Sequence, residues 1–92
     1  MTVPARPPAD APSSGASLAT ADALMVEGHV GEACASAERA KRDDPRAAAI
    51  YKFLGQCYMR VGRTIEAKAN YSVYLRLRPD APDAGFIRGI LK

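Results

Sequence analysis

Apolar residues recur along most of this chain at intervals of three and four, the spacing of one helical face. Leu, Ala, Met and Val alternate at that spacing from Ser17 to Glu27. Gly28-His29-Val30-Gly31 interrupts them, and two glycines three apart favour a turn. Small residues then line one face of Glu32 to Arg42 and charges the other. The basic end, Arg39-Lys41-Arg42, suits the negative pole of a helix. Asp43-Asp44-Pro45 stops that segment. From Ala47 to Val61 the stripe is Ile50, Leu54, Cys57, Tyr58 and Val61. Gly62-Arg63 is the next turn, with Thr64 as a cap for a helix running to Leu77. Arg78-Pro79-Asp80 ends it. Pro82 and Asp83 suit a helix start, and Phe86, Ile87, Ile90 and Leu91 form an apolar face over Pro82–Leu91. The pattern predicts five helices and no strand: an all-α chain.

Residues 1–16 break this regime. Pro4, Pro7, Pro8 and Pro12, with Ser13, Ser14 and Gly15, supply few apolar side chains. Such a segment cannot offset its ordering entropy, so a disordered tail is expected there.

Shifted by 34 residues, the chain matches itself at Met25/Met59, Gly28/Gly62, Glu32/Glu66, Ala33/Ala67, Ala35/Ala69, Arg42/Arg76, Pro45/Pro79 and Ala47/Ala81. The turn glycines and the helix-ending prolines are among the matches. In the second unit Tyr51, Leu54, Gly55, Tyr58, Gly62, Ala67, Tyr71 and Pro79 stand at defining positions of the tetratricopeptide repeat, whose period is 34. In the first unit Ala21, Leu24, Gly28, Ala33, Ala40 and Pro45 do so. The chain resembles that family over about residues 17–92. The resemblance implies a short right-handed α-solenoid: repeat 1 over about 17–46, repeat 2 over about 47–80, and a capping helix over about 82–91. Tyr74 stands where the family has a small residue, which is expected to loosen that contact.

The same resemblance implies a concave groove for a partner segment. The first unit contributes Leu18, Asp22, Met25 and Val26 to it, and the second Lys52, Gln56, Met59 and Arg60. Phe86 and Ile90 of the last helix complete the set. Methionines suit adaptable contacts, and Lys52 and Arg60 could pair with acidic side chains or a carboxylate. Some members of the family clamp chaperone C-termini with Lys and Asn on successive helices. Here Leu18 and Asp22 occupy the first pair, Lys52 and Gln56 the next, and Ile87 the place of the following Asn, so no such binding is expected.

Composition narrows the chemistry. The chain has 92 residues, 48% of them hydrophobic and 25% charged, which fits one small globular domain. Apolar runs are too short for a membrane span, and the first residues lack a secretory apolar core. A cytoplasmic location is expected. His29, the only histidine, falls in a turn with no acid–base partner close in sequence, so its side chain is expected in solvent. Cys34 and Cys57 fit no metal spacing or disulfide framework, and both are expected as small buried hydrophobes. No phosphate-cradling glycine loop is present. No catalytic residues, no metal and no cofactor are expected.

Charge is divided along the chain. Residues 1–45 carry four basic and seven acidic side chains, net −3. Residues 46–92 carry nine basic and three acidic, net +6. Together these readings describe a non-catalytic adaptor that binds another protein in its groove, in bacterial signalling, secretion or assembly. Two alternatives stand beside it: nucleic-acid binding by the basic half, and self-association through the last helix, giving a homodimer.

Overall fold

The computed structural model describes residues 13–92, with side chains from Leu18 onward. Five helices follow one another: α1 (Ser13–Val26), α2 (Val30–Asp43), α3 (Ala48–Arg60), α4 (Thr64–Leu77) and α5 (Ala84–Leu91). No strand occurs among the described residues. Helix α4 has the expected bounds, and α2 and α3 differ from theirs by one or two residues. Pro82 and Asp83 precede α5 rather than open it. Of the expected tail, residues 1–12 lie outside the described residues, and α1 begins at Ser13.

Backbone geometry repeats at the sequence offset. Gly28 and Gly62 have φ of 91° and 82°, where a Cβ would meet the neighbouring carbonyl. That conformation lets the chain reverse and recover the last carbonyls of α1 and α3. His29 N–H donates to the Leu24 carbonyl at 2.8 Å, and Arg63 N–H to that of Tyr58 at 2.8 Å. Gly28 N–H reaches the Met25 carbonyl at 3.1 Å, and Gly62 N–H that of Met59 at 3.2 Å. These are paired glycine C-caps. The ends of α2 and α4 also match. Asp44 N–H donates to Ala40 and Arg78 N–H to Tyr74. Each of these donors precedes a proline, which keeps it out of the helical region.

Consecutive helices pack on one another, and α1 also touches α3. Helix α3 faces two cores. Ile50, Phe53, Leu54 and Cys57 close one with Ala21, Ala33, Cys34, Ala37 and Ala40. Tyr51 joins Tyr71, Tyr74, Ala81, Ala84 and Ile87 in the other. The two hairpins fill the same positions differently: Ala37 and Ala40 of the first correspond to Tyr71 and Tyr74 of the second. The larger rings need room, and Gly55 gives it. A Cβ built on Gly55 would lie 2.6 Å from the Tyr71 ring.

Two expectations about side chains are corrected. Tyr74 does not loosen the packing: its ring is buried, and its hydroxyl donates to Asp83 at 2.8 Å. Cys34 and Cys57 are buried as expected but are not separate thiols. They form a disulfide joining α2 to α3, with their Cα atoms 5.8 Å apart. Spacing rules read cysteines along the chain, whereas this pair meets only where two helices pack.

Candidate functional site

Helix α3 is covered on most of its circumference. Ile50, Tyr51, Phe53, Leu54, Gly55 and Cys57 are all buried. Among the positions that remain open are Lys52, Gln56, Met59 and Arg60, at intervals that keep them on one face. Gln56, Met59 and Arg60 are exposed and Lys52 half-buried. The four expected residues of the second unit therefore share a surface.

The other expected positions are less uniform. On α1, Leu18 and Met25 are half-buried against the first core, while Asp22 and Val26 face solvent. On α5, Ile90 packs against the second core and Phe86 is 74% exposed. Leu18, Met25 and Ile90 thus serve the cores as well as the surface.

Lys52 carries more internal work than its sequence position suggests. Its ammonium pairs with the Asp83 carboxylate at 2.5 Å and lies 5.9 Å from the centre of the Tyr74 ring. That hydrogen bond from Lys52, with a second from Tyr74, holds the Asp83 carboxyl below its usual 3.8. In return, the bond to Asp83 raises Lys52 above 10.5. Lys52, Tyr74 and Asp83 thereby tie α3, α4 and the start of α5 together. Arg60 makes no ion pair among the described residues, so its charge is available to a partner. Sequence reasoning assigned both cations to the groove and had no means of separating them, because Asp83 lies 31 positions from Lys52.

On a different side of α3 lies a cavity of about 330 Å³, lined by Gly31, Cys34, Ala35, Tyr58, Val61 and Arg63. The Tyr58 hydroxyl donates to the Glu38 carboxylate at 2.5 Å, and Lys41 pairs with the same carboxylate at 3.0 Å. Burial, then the bond to Glu38, pushes the Tyr58 phenol up to about 12. The Arg63 guanidinium sits 5.9 Å from the Tyr58 ring centre and pairs with Glu66. None of the expected groove residues lines this cavity. His29 is exposed, as expected for a turn position.

No family model matches this chain, nor does any curated protein. Among the described residues, no helix is long and apolar enough to cross a membrane.

Proposed function

We propose that the chain is a short right-handed solenoid of two tetratricopeptide-like hairpins capped by α5, and that it acts as a non-catalytic adaptor. A segment of another protein docks along α3, flanked by α1 and α5. The observation that carries this reading is the open stripe Lys52-Gln56-Met59-Arg60 on a helix that faces two cores. Met59 supplies an adaptable apolar contact and Arg60 an uncommitted fork for a carboxylate. Asp22 and Val26 of α1 and Phe86 of α5 are exposed and are proposed as further contacts for that segment. The repeated caps at Gly28 and Gly62 support a stack of like units, each leaving a face for the next.

The test is quantitative capture from the source cell with wild type and with Met59→Glu plus Arg60→Glu, leaving the structural Lys52 intact. Loss of specific proteins from the variant bait, with an unchanged melting temperature, is the expected result. Recovery of the same proteins by both baits rejects the surface. A bound nucleic acid would instead leave steeply as salt rises.

A further inference from the structure

We propose that Cys34 is a thiol–disulfide exchange site, open through the cavity beside it to a small carboxylate-bearing thiol of the glutathione class. The two cysteines of the bridge are not equivalent. Cys57 is fully enclosed in the first core, whereas Cys34 is 6% exposed and forms part of the cavity wall. Exchange requires a thiolate to approach one sulfur, and the cavity leads to Cys34. Gly31, about one helical turn before Cys34 on α2, and Ala35, directly after it, bring little bulk to the approach. Arg63 provides a cation on the cavity wall; its side chain is 61% exposed and pairs with Glu66 at 3.1 Å, so an incoming carboxylate shares it with Glu66.

The chemistry closes without a further reagent. The incoming thiolate attacks Cys34 Sγ, a new S–S bond forms, and the Cys34–Cys57 bond breaks. Its electron pair goes to Cys57 Sγ, which then takes a proton from water. That thiol has an acceptor waiting: the Val30 carbonyl oxygen lies 3.3 Å from Cys57 Sγ. The bridged sulfur has no hydrogen to give, so this contact becomes a hydrogen bond only after reduction. A second thiol attacking the adduct releases Cys34 and one small disulfide. Two small thiols are oxidised while the protein bridge is reduced, and the same steps run backwards re-form it. Cys57 is enclosed and does not line the cavity, which leaves Cys34 as the residue carrying the adduct. Because the bridge spans α2 and α3, its state decides whether the two hairpins are cross-linked beyond their chain connection.

The test uses the folded full chain in millimolar glutathione, quenched with acid and mapped by peptide mass. The glutathione adduct is expected on Cys34 and not on Cys57. At equal thiolate concentration, glutathione should react faster than the cationic thiol cysteamine, by roughly two- to fivefold, the range an exposed ion pair supplies. Arg63→Glu should abolish that preference. Single-cysteine chains give an independent readout. With glutathione disulfide, Cys57→Ser should be modified at Cys34, while Cys34→Ser should stay unmodified at Cys57 over the same interval. The new serine hydroxyl of Cys57→Ser can donate to Val30, and circular dichroism verifies both folds. An adduct on Cys57, equal labelling of the two single-cysteine chains, equal rates for both thiols, or a bridge reducible only in denaturant would each overturn the proposal.

Discussion

Of the glycines among the described residues, Gly55 is the one whose added Cβ would meet a neighbour, the Tyr71 ring. A methyl group at Gly55 would sit 2.6–2.7 Å from three carbons of the Tyr71 ring, which is enclosed and cannot swing into solvent. Gly55→Ala should therefore destabilise the chain by about 1–3 kcal/mol through overpacking, against a helix-propensity gain of about 1 kcal/mol. Tyr71→Ala alone should cost more, about 3–5 kcal/mol, because it empties the space a large ring fills. The double variant should cost less than the sum of the singles, since the added methyl enters the space the ring has left. Urea unfolding of all four proteins measures the coupling. Strict additivity would mean that the two residues do not share this space. At the same offset the first hairpin has Ala21 and Ala37, both fully buried. The repeat conserves the approach of the helices while moving bulk from one partner to the other.

At the scale of elements, α5 is the most dependent. It has eight residues, too short to be helical alone. Ala84 and Ile87 anchor it in the second core, and Asp83 just before it receives hydrogen bonds from Lys52 and Tyr74. Arg88 adds a bond to the Pro79 carbonyl at 3.0 Å. The Asp83 carboxyl titrates below 3.8 when folded. A carboxyl lowered by folding contributes stability that is full above its unfolded value and disappears as pH falls through the folded value. Amide hydrogen exchange in α5, corrected for intrinsic rates, should therefore accelerate as pH drops below 3.8, ahead of exchange in α3. Asp83→Asn should remove that acid dependence and leave α5 less protected at neutral pH. An α5 whose protection follows the same pH curve in both proteins would show that the Asp83 cluster does not hold it.

For the whole molecule, the covalent link between the hairpins sets how stable a short stack can be. The bridge spans 23 residues, and closing a loop of that length restricts the unfolded chain by about 3 kcal/mol. Reduction, or Cys34→Ser with Cys57→Ser, should lower the melting temperature, with the two giving similar values. An unchanged melting temperature on reduction would mean that packing of α2 on α3 alone determines stability. The link also bears on cellular setting. Glutathione in a reducing cytoplasm keeps exposed pairs as thiols, while an oxidising compartment preserves the bridge. The expectation of a cytoplasmic location treated Cys34 and Cys57 as separate thiols, which the bridge between them replaces.

Much of the architecture is local, and local physics is what a sequence carries. The caps at Gly28 and Gly62 and the stops before Pro45 and Pro79 use residues adjacent in the chain, so the helices and their 34-residue rhythm could be read directly. The apolar stripe of α3 was legible for the same reason, whereas the open stripe Lys52-Gln56-Met59-Arg60 was expected only through the resemblance to the repeat family. What needed the tertiary structure were encounters between distant residues. Lys52 meets Asp83, Tyr58 meets Glu38, and Cys34 meets Cys57 only because helices pack at one particular rotation. Periodicity gives the direction of each side chain around its own axis; it does not give the rotation of one axis against another, and that rotation turned an expected groove cation into a structural tie and two expected thiols into one bond.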